Sequence, residues 1–161
     1  MTLNVRRLTP DDLPRLREFW FEHWGGDFMI SRGNIYRPEQ LEGFVVEDEE
    51  EWIGLLTFFI KGDEMEVTSL DSLQEGHGLG TKLMNTVLKE ARERNCQRIF
   101  LITTNDNLNA LGFYQKRGFE LVTIYRGAIN ETRKLKSNIP LIGYNNIHLR
   151  DEIELEIVLN S

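Results

Sequence analysis

The sequence predicts a mixed α/β (α+β) fold with a mostly antiparallel sheet of six to seven strands, and three observations support this class. Three β-type runs between residues 43 and 73 are separated by short turns, which indicates an antiparallel meander. The run RIFLITT at 98–104 is apolar without polar alternation, as is typical of a strand covered on both faces. An amphipathic helix precedes this run, so strand, helix and strand form a parallel unit.

The amino-terminal part predicts one strand, one helix and one irregular segment. LNVRRL at 3–8 resembles a strand, and Thr9 with Pro10 predicts the start of a helix. That helix runs to about Trp24, where two glycines end it. Residues 25–42 show neither helical nor strand periodicity, so we expect a loop with a short helical piece, a kind of segment that often binds ligands.

The carboxyl-terminal half predicts two helices and two further strands, at 78–95, 107–118, 119–127 and 150–159. Both helices have one apolar face, and the last strand alternates apolar with charged residues, which favours a half-exposed strand. The segment 128–149 is ambiguous, because Pro140 and an Asn-Asn pair interrupt any long element.

Composition excludes several classes of function. The 161 residues are 40% hydrophobic without a polar tract or a long apolar run, so we expect one domain spanning 1–161 in the cytoplasm. The net charge of −7 argues against nucleic acid and anionic membranes as partners. The chain has a single cysteine, Cys96, which excludes an internal disulfide. Its Cys and His residues lack the spacing of metal ligands, so we expect no metal site. Composition leaves monomer and homodimer open.

The stretch EGHGLGT at 75–81 places three glycines at the start of a predicted helix. Free backbone N–H groups and the positive end of the helix dipole at such a junction bind phosphate, and glycines let a diphosphate approach the main chain. A tight turn without a ligand remains the alternative. The spacing fits neither the dinucleotide fingerprint nor the nucleoside-triphosphate loop.

The same residues resemble the signature of the GNAT superfamily of acyl-CoA-dependent N-acyltransferases, Arg/Gln-x-x-Gly-x-Gly/Ala at a strand-helix junction. The chain departs from it at Glu75, where a carboxylate replaces Arg or Gln. TTNDNLNALGFYQKRGFE is similar to the second conserved block of that superfamily, with Asn107, Ala110 and Tyr114 followed by K-x-G-F. The resemblance covers about residues 3–126 and implies a central pair of parallel strands that splay apart.

The resemblance implies acetyl-CoA as a co-substrate and assigns it a set of binding residues. These are Leu70, Gly76, His77, Gly78, Leu79, Gly80, Thr81, Asn107 and Tyr114. Within this set, a backbone N–H near Leu70 would face the oxyanion, and the Tyr114 hydroxyl, with an ordinary pKa, would face the leaving thiolate. Asn107 and Tyr114 share one helix face about 10 Å apart along the axis. Alone, Asn107 is typical of a helix N-cap and Tyr114 of a core aromatic; their joint pattern favours a ligand.

The general base and the acceptor site are less defined. Some family members carry a Glu on the strand before the second block, but Ile102 occupies that place here. Glu66 is therefore the catalytic candidate and Asp71 the alternative, although either could be a surface carboxylate or a turn cap.

We expect Trp24, Arg32 and Tyr36 to contact the acceptor, a small-molecule or peptide amine. The sequence thus predicts an N-acetyltransferase, with a non-catalytic acyl-CoA-binding module and a different nucleotide binder as alternatives.

Overall fold

The computed structural model describes residues 3–74 and 76–159. In chain order the elements are β1 (Asn4–Arg7), α1 (Leu13–Trp24), β2 (Met29–Ser31), β3 (Asn34–Tyr36), β4 (Glu42–Asp48), β5 (Glu51–Lys61), β6 (Glu64–Ser72), α2 (Leu79–Glu93), β7 (Arg98–Thr104), α3 (Leu108–Lys116), β8 (Glu120–Tyr125), α4 (Ala128–Leu135) and β9 (Glu152–Val158). Seven strands form one sheet in the order β1-β4-β5-β6-β7-β9-β8, and β2 pairs with β3 in a separate hairpin. Among the described strands, β6 and β7 form the one parallel pair. The predicted fold class is confirmed.

The sheet has a hydrophobic core on each face. Alternate residues of β4 divide between the two cores: Phe44 and Val46 pack on the α2 side, and Val45 packs on the α1 side. This division follows from the two-residue period of a strand, which sends successive side chains to opposite faces. Trp20 of α1 is fully buried, and so is Leu83 of α2. The two helices therefore hold the sheet between them.

The first helix begins later than the sequence predicts. Residues Pro10–Asp12 form a 3-10 turn, and α1 starts at Leu13. Pro14 explains the interruption, because proline has no N–H to donate to the carbonyl four residues earlier and its ring would clash with that carbonyl. The helix ends at Gly25, whose φ of 74° is left-handed. The predicted end of this helix is therefore correct.

Residues 25–42 contain a β-hairpin that the sequence does not predict. Strands β2 and β3 are three residues each, too short to show a periodicity. Arg32 and Gly33 form the two-residue turn between them, both with positive φ, as in the turns that match the twist of a hairpin. The expected short helical piece is present at Pro38–Gln40 as a 3-10 turn.

The ambiguous segment 128–149 forms α4 and then an irregular chain that exposed and partly buried hydrogen bonds hold in place. Arg133 donates to the carbonyl oxygens of Pro140 (2.7 Å) and Leu149 (2.6 Å). The carboxylate of Asp106, which is 2% exposed, accepts from the N–H of Tyr144 at 2.8 Å. Tertiary hydrogen bonds, not local periodicity, therefore determine the path of this segment.

The parallel strands β6 and β7 separate halfway along their length. Their pairing ends at Val67 and Leu101, although β6 continues to Ser72 and β7 to Thr104. At the same point β6 has a bulge: Val67 and Ser69 pair with consecutive residues of β5, which leaves Thr68 extra. A bulge bends the strand that carries it. The bend at Thr68 directs the rest of β6 away from β7 and opens a cleft between the two strands, as the family resemblance implies.

Gly143 offers a test of how tightly the irregular segment is held. A Cβ at Gly143 would overlap the carboxylate of Asp106, which Thr104 and Tyr144 fix in place. We expect Gly143→Ala to lower the free energy of unfolding by about 1–3 kcal/mol, measured by urea denaturation.

Gly112 provides the matched control. It lies within α3 with open space at its Cβ position, so Gly112→Ala should leave the stability unchanged or raise it by up to about 1 kcal/mol. Equal effects of the two substitutions would contradict the proposed contact.

Candidate active site

The cleft between β6 and β7 contains unpaired backbone groups. The N–H of Leu73 bonds to the carbonyl oxygen of Ile53 on β5. Because N–H groups along a strand alternate in direction, the N–H of Leu70, three residues earlier, points away from β5 and into the cleft. β7 is no longer paired with β6 at this level. The main-chain N–H of Leu70 therefore faces the cleft, and its role as a donor stays a prediction.

A cavity of about 640 Å³ opens from this cleft. Its walls come from the end of α1, the β2-β3 hairpin, β6, β7, and the chain from α4 to Glu152. Four of the predicted site residues line it, namely Trp24, Tyr36, Glu66 and Asn107. The third acceptor-site candidate, Arg32, lines a neighbouring cavity of about 420 Å³ that shares Tyr36 and Glu66. Tyr114 and the glycine turn lie outside both linings.

The three alternate glycines serve two different purposes. Gly76 and Gly78 have φ values of 81° and 68°, and nothing lies within 4 Å of a Cβ built at either position. They make a left-handed turn that leaves the main chain open on its outer side. Gly80 instead packs against α3, because a Cβ there would lie 3.0 Å from the Phe113 ring.

The other residues of the predicted turn divide between the core and the surface. His77 is exposed and Leu79 is fully buried beneath the turn. Glu75, the position that departs from the family signature, lies outside the described residues.

Arg117 brings a positive charge to the glycine turn. Its guanidinium donates twice to the hydroxyl oxygen of Thr81, at 3.0 and 2.6 Å, and once to the carbonyl oxygen of Phe113. It also stacks over the Phe113 ring at 3.5 Å from the centroid. These contacts hold the cation in the first turn of α2, and further N–H groups of the guanidinium are still available.

Tyr114 lies on the inner face of α3 with Asn107 at the start of the helix. The Asn107 side chain accepts a hydrogen bond from the N–H of Ala110 at 3.2 Å, so it is the N-cap, and it also lines the cavity. Tyr114 packs edge-on against Phe113 and Phe119. Within residues 3–74 and 76–159 its hydroxyl has no hydrogen-bond partner.

The acidity of Tyr114 differs from the sequence-based expectation. Burial raises the pKa of this phenol well above its usual range, and the negative charge of Asp71 raises it further. The expected ordinary pKa is therefore wrong. A phenol in this environment keeps its proton and acts as a hydrogen-bond donor.

Glu66 holds the β2-β3 hairpin onto the sheet. It is 3% exposed, and its two oxygens accept from Ser31 at 2.6 Å and Tyr36 at 2.7 Å. Arg32, at the tip of the hairpin, lies 3.8 Å from Glu66 and 3.6 Å from Glu154, with its guanidinium over the Phe100 ring. The Glu66 carboxylate thus interacts with three side chains of the hairpin, those of Ser31, Arg32 and Tyr36.

Glu152 is another carboxylate in the cavity, besides Glu66 and Asp106, and the sequence does not single it out. It stands at the start of β9, beside Thr104, and is 3% exposed. Its Oε1 accepts from the backbone N–H of Arg32 at 3.2 Å. Burial raises the pKa of Glu152 and so does the charge of Glu66, while the Arg32 contact lowers it. The sequence did not indicate Glu152 as a site residue because it follows an irregular segment. It also belongs to a strand whose alternation predicted one exposed face.

Each helix of the described chain is too short or too polar to span a lipid bilayer. Over the same residues, no group of three or more His, Cys, Asp or Glu side chains is arranged to hold a metal ion.

Comparison with known proteins identifies the class to which this fold and cleft belong. The Acetyltransferase (GNAT) family pattern matches residues 7–119. The uncharacterized protein YdhI of Bacillus subtilis (strain 168) is 42% identical over 146 residues, which cover 90% of this chain and 91% of YdhI. The chain therefore belongs to the GNAT acetyltransferase family.

Solved structures share the fold at lower sequence identity. An IAA acetyltransferase from Bacillus cereus ATCC 14579 superposes with a TM-score of 0.72 at 19% identity, covering 98% of this chain and 100% of that one. A GNAT family acetyltransferase from Elizabethkingia anophelis, solved with acetyl-CoA bound, has a TM-score of 0.69 at 20% identity, with 98% of each chain covered. The resemblance stated from the two sequence blocks is confirmed.

The pKa of Asp71 provides a test of the electrostatics at the end of β6. Burial raises this pKa from 3.8 to about 6, opposed by Trp24 and His23. The folded protein therefore binds this proton more tightly than the unfolded chain does. The free energy of unfolding should decrease as the pH rises from about 4 to about 6 and remain reduced above that range.

We expect Asp71→Asn to raise the free energy of unfolding by about 1–3 kcal/mol at neutral pH and by much less near pH 4, measured by urea denaturation. Asp63→Asn, at an exposed turn position, is the control and should have little effect at either pH. A destabilised Asp71→Asn variant at neutral pH would contradict this prediction.

Proposed function

We propose that the protein transfers an acetyl group from acetyl-CoA to the amine of a small molecule by direct attack of the amine on the thioester. One observation carries the proposal: a splayed parallel strand pair leads from an open glycine turn to a half-open cavity lined by carboxylates. An extended co-substrate fits such a path, with its diphosphate at the turn and its thioester at the cavity. Membership of the GNAT family supports the same assignment.

The residues at the turn suit a diphosphate. Gly76 and Gly78 leave open space where side chains would otherwise stand, and the first N–H groups of α2 face outward. Arg117 contributes a fixed positive charge beside the Thr81 hydroxyl. The family signature has Arg or Gln at the position where this chain has Glu75. Arg117 is proposed to supply the positive charge that Glu75 cannot.

The residues of the cleft suit the reacting groups. The Leu70 N–H is the proposed donor to the oxyanion that develops on the thioester carbonyl. The Tyr114 hydroxyl, protonated and without a hydrogen-bond partner among the described residues, is the proposed donor to the sulfur as the carbon–sulfur bond breaks. Hydrogen bonding, not full proton transfer, is the role that its raised pKa favours.

The size of the cavity, about 640 Å³, and the elements on two of its sides favour a small acceptor over a protein chain. The hairpin covers one side and the chain from α4 to Leu149 covers the other. Lys136, beyond α4, donates to the carbonyl oxygen of Phe28 at 3.1 Å and joins the two covers. Trp24 and Tyr36 supply aromatic surface, so the acceptor we propose is an amine with an apolar body.

Calorimetric titration with acetyl-CoA, with ATP and NAD as controls, tests the co-substrate. Thiol release with a panel of phenethylamine, spermidine, lysine and a short peptide tests the transfer. Selective binding with amine-dependent thiol release supports the proposal. Binding without thiol release for any amine favours the non-catalytic module, and no selective binding contradicts both.

Tyr114→Phe tests the proposed donor to the leaving thiolate. We expect turnover to fall by roughly ten- to a thousandfold, because the sulfur loses its hydrogen-bond donor, while calorimetric affinity for acetyl-CoA stays nearly unchanged. Wild-type turnover in this variant would remove Tyr114 from the mechanism.

Arg117→Gln tests the charge at the glycine turn. We expect acetyl-CoA to bind about tenfold more weakly, with a smaller dependence on salt, because one charge-assisted contact is lost. Lys116→Gln makes the same charge change at an exposed neighbouring position and should alter the affinity by less than about twofold. Similar losses in both variants would indicate a general charge effect and contradict a specific contact.

A further inference from the structure

Three buried carboxylates line the cavity, and they have different hydrogen-bonding environments. Asp106 accepts from the Thr104 hydroxyl and the Tyr144 N–H and so holds the irregular segment. Both oxygens of Glu66 accept from hydroxyl groups of the hairpin, and Arg32 lies beside it. Within the part of the chain that the structure describes, Glu152 has one hydrogen bond, from the Arg32 N–H to Oε1. Its Oε2 has no hydrogen-bond partner in residues 3–74 and 76–159, although the residue is 3% exposed and lines the cavity. An oxygen in this position is available to a ligand.

Glu152 also lies where an acceptor must approach. It pairs in register with Thr104, the last residue of β7, on the open side of the cleft. The cavity lining continues from Glu152 to Thr103, Thr104 and Thr68, the bulge residue that opens the strands. An ammonium group bound to Oε2 would therefore stand at the end of the cleft into which the thioester carbonyl is proposed to extend.

We propose that Glu152 binds the ammonium group of the acceptor and takes its proton, so that the acceptor is a primary alkylamine cation with an apolar body. This inference rests on the proposed acetyl transfer. In this proposal Glu66 positions the hairpin. Glu152, not Glu66, has the catalytic role that the sequence predicted for Glu66.

Two protons leave the acceptor nitrogen during the proposed transfer. The acceptor R–NH₃⁺ gives one proton to the Glu152 carboxylate, and the freed lone pair forms the nitrogen–carbon bond at the thioester. The carbon–sulfur electron pair leaves on sulfur. A second proton leaves the nitrogen as the amide forms and is taken up by the thiolate, while Glu152 returns the first proton to water.

The charges around Glu152 determine when it can act as a base. Glu66 on β6 faces it and raises its affinity for a proton, while Arg32 at the hairpin tip opposes this effect. Tyr125 on β8 pairs with it in register but donates its hydroxyl hydrogen to Glu154, and Lys136 lines the same cavity. A buried carboxylate beside a second carboxylate has a pKa above its usual range, closer to the working pH, which favours general-base catalysis.

Glu152→Gln tests this inference, with phenethylamine as the probe amine. We expect kcat/KM for phenethylamine to fall by roughly a hundredfold or more and the acid limb of its pH profile to disappear. Acetyl-CoA affinity by calorimetry should stay within about twofold, which shows that the variant is folded. Glu156→Gln changes the same charge further along β9, where Glu156 pairs with Arg98, and should keep wild-type kinetics.

A second readout does not depend on turnover. Carbon-13 NMR of labelled glutamate carboxyls should show one resonance with a raised pKa that is absent in Glu152→Gln and that responds to phenethylamine without acetyl-CoA. Wild-type kinetics in Glu152→Gln, or a Glu152 resonance that titrates normally and ignores phenethylamine, would overturn the inference. Phenethylamine binding at Glu152 without thiol release from any panel amine would keep the amine site and reject acetyl transfer.

Discussion

The bend of β6 at Thr68 is the constraint on which the site depends. One extra residue in the pairing with β5 separates β6 from its parallel neighbour immediately after Val67. A parallel pair that continued to its ends would bond its own N–H and C=O groups and leave no cleft. Because the bulge lies inside the sheet, with core on both faces, the unpaired backbone of Leu70 is held in position by rigid surroundings.

The cleft has ends of opposite electrostatic character, although the chain carries a net charge of −7. At one end, the start of α2 and the guanidinium of Arg117 present positive charge suited to a diphosphate. At the other, Glu66 and Glu152 present negative charge suited to an ammonium group. This separation would orient both substrates, because each is attracted to one end and repelled from the other.

The sequence predicted the parts of the fold that repeat over many residues or match a long motif. The alternating strands, the apolar face of α2 and the two family blocks were sufficient for the sheet and the glycine turn. Strands as short as β2 and β3 carry no periodicity, so the hairpin was missed, although its Arg32-Gly33 turn is a local signal.

Residues placed by tertiary contacts could not be predicted in the same way. Glu152 occupies a strand whose alternation suggested solvent on one face, but it is 3% exposed and lines a cavity that the hairpin and the chain after α4 help to form. Gly80 shows a related limit, since its alternate spacing suggested ligand access while its contact with Phe113 requires close helix packing. In both cases, contacts with elements distant in sequence determine the surroundings of the residue.

A crystal structure of the protein with coenzyme A bound would test the central claim most directly. We expect the diphosphate to lie against the backbone N–H groups around Gly78 and Thr81, the pantetheine arm between β6 and β7, and the sulfur near the Tyr114 hydroxyl. Coenzyme A bound elsewhere, with the cleft closed by side chains, would contradict the account.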